Sequence, residues 1–284
     1  MPKASPKSHR SPRKKRRGNL PPGSAVRPPE PRRARPAIRS AAGGRLWLYG
    51  RHAVEAALNN ARRTCHQLLA TDEALGRLNP DLDMRGVDVR RIDRADLDAR
   101  FGDGVVHQGL ALAVAPLPKI TLQKACMSTG GTGRDMVLVL DQINDPQNLG
   151  AILRSAVAFD ARAVIVPARR SADLGGAVAK AASGALDLIP IVEVTNLASA
   201  LDDLRDLGYW RVALDGGAER TVDTAPAFDQ IALVLGAEGA GVRRLVAERC
   251  DLTLRLPIAT AMESLNVSVA GGIALYALTR GKPG

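Results

Sequence analysis

Aromatic residues are nearly missing from this chain: three Phe, three Tyr and two Trp make up 3% of 284 residues. The interior must therefore be filled by Leu, Val, Ile and Ala, and an apolar fraction of 45% is enough for that. Cysteine is equally scarce. Cys65, Cys126 and Cys250 stand far apart, which excludes a disulfide framework and any paired zinc-type spacing. The four histidines, His9, His52, His66 and His107, are also dispersed, so no metal is expected. No run approaches the ~20 apolar residues of a membrane span. No apolar core of a secretory signal occurs near the N-terminus either. The expectation is a soluble protein of a reducing cytoplasm with no membrane partner.

What the chain does have is positive charge, unevenly placed. Of the net +11, residues 1–45 hold fourteen Lys and Arg against a single acid, Glu30, a local charge of +13. The other 239 residues carry 26 bases and 28 acids and are almost neutral. The same segment contains nine of the eighteen prolines and no aromatic residue. With so little apolar surface to bury it cannot offset its ordering entropy, and disorder is expected there. Its run Arg13-Lys14-Lys15-Arg16-Arg17 would attract phosphates without reading sequence. A merely solubilising tail explains it equally well, and its prolines break the amphipathic helix that a transit peptide needs.

From Leu46 onward strand-like and helix-like runs alternate. Short strands are expected at 46–49, 66–70, 87–92 and 109–115, with helices at 51–60, 72–78 and 93–101, the last two opened by Asp residues suited to N-capping. A Pro- and Gly-containing linker follows. Continuous apolar strands are then expected at 136–141, 163–167, 188–194, 210–215, 231–236 and 252–258, a pattern that suits a parallel sheet covered on both faces. The predicted division is a basic tail (1–45), a small α/β domain (46–117), a linker (118–134) and a larger α/β domain (135–284). Ligands of such open sheets sit at the carboxyl ends of the strands.

Three segments at those ends are chemically unusual. In the first, Asp145 and Pro146 open a helix whose buried face is Leu149, Ile152, Leu153, Ala156 and Val157. Asn148 then falls in the first turn, and Arg154 lies off the buried face. In the second, Leu235-Gly236-Ala237-Glu238-Gly239-Ala240-Gly241 puts a carboxylate among glycines that permit close backbone approach or positive φ. Its order does not match the G-x-G-x-x-G dinucleotide fingerprint. In the third, Leu256-Pro257-Ile258 precedes Glu263-Ser264-Leu265-Asn266-Val267-Ser268-Val269-Ala270-Gly271-Gly272. Ser264 or Asn266 could cap the last helix. Two glycines inside that helix cost about 1 kcal/mol each relative to Ala, so something must need close approach there. Each segment alone has an ordinary capping or surface explanation.

Taken together, N-L-G-x-x-x-R-S, L-G-x-E-G-x-G and L-P-I with S-L-N-V-S-V-A resemble the three motifs of the SpoU–TrmH RNA 2′-O-methyltransferases. Tyr49-Gly50-Arg51-His52-Ala53-Val54 and Val106-His107-Gln108-Gly109 resemble its ribosomal-RNA guanosine subgroup, so the similarity spans about 46–280. The resemblance implies a small RNA-binding domain similar to a ribosomal protein, followed by a parallel-sheet methyltransferase domain with a trefoil knot. It also implies a homodimer, S-adenosyl-L-methionine as cofactor and RNA, 23S rRNA foremost, as substrate. Transfer RNA methylation is the alternative within the family, and a non-catalytic RNA-binding assembly protein the alternative outside it. Residue by residue it implies catalytic roles for Asn148, Arg154, Glu238, Ser264 and Asn266, and cofactor contacts for Gly236, Leu256 and Leu265. Because a guanidinium is essentially never deprotonated in proteins, Arg154 is assigned to phosphate binding and to lowering the proton affinity of the ribose hydroxyl. His52 and His107 are open between structural and RNA-contacting roles.

Overall fold

Apolar strands alternating with capped helices build two sheets. The computed structural model describes residues 46–102, 105–127, 135–169, 171–172, 174–259 and 261–279. The basic tail (1–45) and the glycine-rich half of the linker (128–134) lie outside the described residues.

The smaller sheet is formed by β1 (Leu46–Tyr49), β2 (Cys65–Ala70), β3 (Asp88–Arg91) and β4 (Leu110–Val114) in the order β1-β4-β2-β3. Pairing is antiparallel for β1–β4 and β2–β4 and parallel for β2–β3. Helices α1 (Arg51–Asn59), α2 (Asp72–Leu75) and α3 (Arg94–Phe101) connect these strands. The caps differ from expectation. Thr71, not Asp72, caps α2 by accepting from Ala74 N, and the helix stops at Leu75 before Gly76. Asp93 does occupy the N-cap of α3, but its side chain makes no capping bond. The linker begins with a helix, α4 (Leu122–Cys126), whose Leu122, Ala125 and Cys126 are buried against the second sheet, and Tyr209 Oη donates to Cys126 O at 2.9 Å.

The larger sheet comprises β5 (Asp135–Leu140), β6 (Ala163–Pro167), β7 (Ile191–Val194), β8 (Trp210–Leu214), β9 (Arg220–Thr221), β10 (Gln230–Leu235) and β11 (Leu252–Arg255). It is parallel throughout, in the order β7-β6-β5-β10-β8-β11-β9. Its helices are α5 (Pro146–Ala158), α6 (Gly176–Ala181), α7 (Ala185–Leu188), α8 (Leu197–Asp206), α9 (Arg244–Ala247) and α10 (Val267–Thr279). The strand expected over 188–194 is shorter. Residues 185–188 are helical, Pro190 ends that helix by holding Ile189 extended, and Pro190 has no N–H to donate to the ladder, so the strand starts only at Ile191. The two-residue edge strand β9 has too little apolar pattern to have been anticipated.

Side chains alternate across β5 with period two. Met136, Leu138 and Leu140 join Leu149, Leu153 and Leu275 in a core that continues into Leu48 and Leu112 of the smaller sheet and Val54 of α1. Val137 and Val139 face the opposite side with Ile165, Leu201 and Leu204. Truncating a fully buried Leu such as Leu153 to Ala costs about 2–5 kcal/mol. Where the two sheets meet, α6 and α7 pack on β1 and α1. Arg63 and Asp187 form a bidentate pair there, Nε to Oδ1 at 2.8 Å and Nη2 to Oδ2 at 3.0 Å, with side chains only 2% and 1% exposed. Asn60 Nδ2 also donates to Asp187 (3.0 Å), and Arg63 Nη1 donates to Ala115 O (3.1 Å).

Candidate active site

Strands β5 and β10 are hydrogen-bonded neighbours in the middle of the sheet, so the loops that leave their carboxyl ends must lie together. The first loop turns into α5. Asp145 accepts from Gln147 N at 3.1 Å, Pro146 takes the first helical position, and the buried face of Leu149, Ile152, Leu153 and Ala156 fixes the helix's rotation. Asn148 is thereby held in the first turn at the sheet edge, half-buried.

The second loop closes on itself, with reciprocal bonds between Ala237 and Gly241 of 3.0 and 2.9 Å. Gly239 (φ +80°) and Gly241 (φ +65°) adopt the left-handed region, and a Cβ on Gly236 would collide with the backbone of Gly241 and Val242. This tight turn leaves Glu238 exposed at its tip. The third segment brings Asn266. Its Oδ1 accepts from Ser268 N (3.0 Å) and Ser268 Oγ (2.6 Å), capping α10. Its Nδ2 donates to Asn148 Oδ1 at 2.9 Å and approaches Glu238 Oε2 at 3.4 Å. The capping explanation and the site explanation therefore describe one residue: its oxygen caps, and its amide nitrogen ties the three segments together.

A second tie was not foreseen in the sequence. Asp141, at the end of β5, has no exposed side-chain surface. It accepts from Arg243 N (2.9 Å) and from the Arg243 guanidinium, with Nη2 to Oδ1 at 2.7 Å. Asp141 thus fastens the far end of the Glu238 loop to the strand that leads to Asn148. The signal available was an Asp directly after five buried apolar residues, a place where a charge must be paired.

Between these loops and β8 lies a cavity of about 420 Å³, lined by Gly236, Glu238, Leu256, Ser264 and Leu265 together with Asp215 and Gly217 from the end of β8. Leu214, Leu235, Ile258 and Val267 make its walls largely apolar. The β8 contribution was also missed: Asp215 and Gly217 are joined only by a local turn bond of 2.8 Å and carry no sequence motif. Gly271 and Gly272 explain themselves. A Cβ on Gly271 would lie 2.7 Å from Leu235 Cδ1, too close unless that side chain shifts, and one on Gly272 would lie 3.3 Å from Ser155 Oγ, a tight contact, so the two glycines ease the close packing of α10 on β10 and α5.

Arg154 stands apart from this cluster. It is exposed, about 9 Å further along α5, and its guanidinium makes no hydrogen bond or ion pair to any described residue. His107 is structural: it is buried, Nδ1 accepts from Gly109 N at 3.0 Å, and Nε2 contacts Asp98 Oδ1 at 2.9 Å. His52 is exposed at the first turn of α1. Among the described residues no group of three or more His, Cys, Asp or Glu could hold a metal ion, and no helix is long and apolar enough to cross a membrane.

Comparison with known proteins adds the following. Residues 135–276 match the SpoU rRNA Methylase family, and residues 47–119 match a domain described as RNA 2′-O ribose methyltransferase substrate binding. The chain is 37% identical over 244 residues to the 23S rRNA (guanosine-2′-O-)-methyltransferase RlmB of Xanthomonas campestris pv. campestris, covering 84% of this chain and 97% of that protein. It is 38% identical over 237 residues to the RlmB of Escherichia coli, covering 82% and 97%. An AdoMet-bound rRNA methyltransferase from Sinorhizobium meliloti shares the fold, with a TM-score of 0.71 over 85% of this chain and 89% of that one at 22% identity.

Proposed function

The chain belongs to the SpoU rRNA methylase family, and from that premise we propose that it methylates a ribose 2′-hydroxyl, that of a guanosine in 23S rRNA, using S-adenosyl-L-methionine. The observation that carries this reading is the meeting of Asn148, Glu238 and Asn266, drawn from three segments, beside the glycine-lined cavity at the strand ends. In this reading residues 46–117 bind the RNA, 118–134 link, and 135–284 carry the transfer.

The cavity suits the cofactor on its own chemistry. Its volume is in the range of a nucleoside-sized ligand, and its apolar walls suit an adenine ring. Gly236 leaves a space that a Cβ would fill, so backbone groups can reach a ligand there. Gly236, Leu256 and Leu265 would hold the cofactor, with Glu238 and Asp215 supplying negative charge opposite a cation. When bound, it supplies an electrophilic methyl group on a positively charged sulfur.

The protein's task is to place the hydroxyl in line and to favour loss of its proton. Asn148, Glu238, Ser264 and Asn266 orient the ribose and keep the three loops in register. Arg154 stays charged, so it acts as a cation. Its guanidinium, which pairs with no described residue, is available to the phosphate next to the reacting ribose, where it lowers the proton affinity of the alcohol.

We extend the reading to a homodimer in the cytoplasm. Val269, Ile273 and Tyr276 lie 50%, 44% and 46% exposed, spaced four and three residues apart on one face of α10. A knotted C-terminal segment belongs to the same reading. Its support is the path of the chain from β11, beyond β8, back to α10 against α5.

Calorimetry and ribose-methylation mapping test the proposal together. S-adenosyl-L-methionine should bind and NAD should not. A deletion strain should lose one 23S rRNA ribose methyl group that the intact gene restores. Loss from transfer RNA alone would move the substrate, and loss from neither would leave an RNA-binding protein without the activity.

A further inference from the structure

The junction of the two sheets carries a cation that its packing does not explain. Lys180, in the last turn of α6, reaches across to the smaller sheet. A Cβ on Gly50 would lie 2.8 Å from Lys180 Nζ and 2.8 Å from Gln108 Oε1. Gln108 Oε1 in turn accepts from Arg51 N at 3.1 Å, at the start of α1, and Gln108 itself holds a positive φ of 54°. Gly50 is left-handed as well (φ +82°), so the chain is shaped to leave this point open. Lys180 makes no hydrogen bond or ion pair to any described residue. Burial lowers its pKa from the ordinary lysine value. An ammonium partly stripped of water with no counter-charge among the described residues is a costly arrangement unless an anion completes it.

The surroundings indicate which anion. On the small-domain side, Gln108 also lines a cavity of about 660 Å³ with Arg51, His52, Arg77 and Arg94. Arg51 is paired with Glu55 and Arg77 with Glu73, and Asp93 is also present, whereas Arg94 and His52 have no described partner. On the other side α6 is pressed against the catalytic helix. A Cβ on Gly150, two residues past Asn148, would collide with Ala181, the neighbour of Lys180. Lys180 therefore stands between the small-domain cavity and the helix that presents Asn148. The buried Arg63–Asp187 pair ties these two surfaces together.

We propose that Lys180, at the Gly50–Gln108 junction, holds a backbone phosphate of the substrate RNA as the strand passes from the small-domain cavity to the methyl-transfer site. The inference rests on the RNA-methyltransferase reading. It adds that the distance from cavity to cofactor, measured along the strand through this phosphate, selects which nucleotide reaches the site. Lys180 is a positioning residue: it touches the chain of the RNA and not the reacting atoms.

The test uses the full-length protein, a 23S rRNA transcript and the variants Lys180→Met, which keeps the packed stem, Lys180→Glu and Lys180→Arg. RNA affinity is measured from low to moderate salt, with KM and kcat for methyl transfer alongside. Lys180→Met should reduce the slope of log affinity against log salt by about 0.7 to 0.9, the value of one phosphate contact. It should raise KM for RNA severalfold and by more than it lowers kcat, with cofactor affinity retained. Lys180→Glu should be worse, and Lys180→Arg should restore slope and KM. A wild-type slope in Lys180→Met, or equal loss in Lys180→Met and Lys180→Arg, overturns the proposal. A wild-type protein that transfers no methyl group would instead sink the methyltransferase reading, and the binding slope would still decide the phosphate contact.

Discussion

Replacing Asp187 by Ala should be among the most damaging single changes available outside the candidate site. Asp187 accepts from Arg63 Nε, Arg63 Nη2 and Asn60 Nδ2, and both charged side chains are at most 2% exposed. The variant strands a guanidinium where water cannot reach it, with one remaining bond to Ala115 O. Breaking a buried pair in this way costs about 3–5 kcal/mol, against total stabilities of about 5–15 kcal/mol. For a domain of this size that corresponds to a fall of roughly 6–20 °C in Tm, read by scanning calorimetry. The pair ties the loop between α1 and β2 to α7, so the smaller sheet should also lose its fixed position, and RNA methylation should fall more than cofactor binding. Replacing both partners, Arg63→Met with Asp187→Leu, should recover most of the stability, since apolar isosteres often equal a buried ion pair. Recovery will be incomplete, because Asn60 Nδ2 and Ala115 O lose their partner. A loss below about 1 kcal/mol in Asp187→Ala, the scale of an exposed pair, would refute the reasoning.

Three other outcomes follow from the same geometry. Gly236→Ala places a methyl group inside the backbone of Gly241 and Val242, so calorimetry should find cofactor binding at least about tenfold weaker, about 1.4 kcal/mol; affinity kept within about twofold would mean that the loop simply relaxes. Arg154→Ala should abolish methyl transfer while cofactor affinity stays nearly intact, and an equal loss of both would remove its assigned role. Asp251 is held below the ordinary carboxylate pKa, chiefly by its side-chain bond to Arg211 at 2.5 Å. Its folded pKa is lower than its unfolded one of about 3.9, so its stabilisation is present above that value and lost as pH falls through the folded pKa. Asp251→Asn should therefore lower Tm at neutral pH, with the gap to wild type closing in acid; a gap that persists in strong acid would assign the effect to lost packing instead.

Much of the fold is written in short-range patterns. The Asp145–Pro146 cap, the helical face from Leu149 to Ala156, and the apolar runs of β5, β6 and β10 depend on neighbours within a few residues, and each forms where the pattern places it. The misplacements have equally local causes. Thr71 outcompetes Asp72 as a cap, and Pro190 delays β7. Asn148, Glu238 and Asn266 were legible as candidates only through the order of three motifs, since each has its own ordinary explanation.

The sequence by itself determined the concentration of charge in the first 45 residues, the parallel α/β class and the three segments worth attention. These follow from composition, period and spacing. Only the tertiary structure decided which distant residues meet: Asn266 with Asn148 across 118 positions, Asp141 with Arg243 across 102, and Arg63 with Asp187 across 124. Strand order sets these meetings. Inserting β10 between β5 and β8 brings the two loops together, and packing α6 and α7 on the smaller sheet buries the ion pair. No local pattern encodes that order, because it is chosen by the burial of whole sheet faces and not by any one segment's preference.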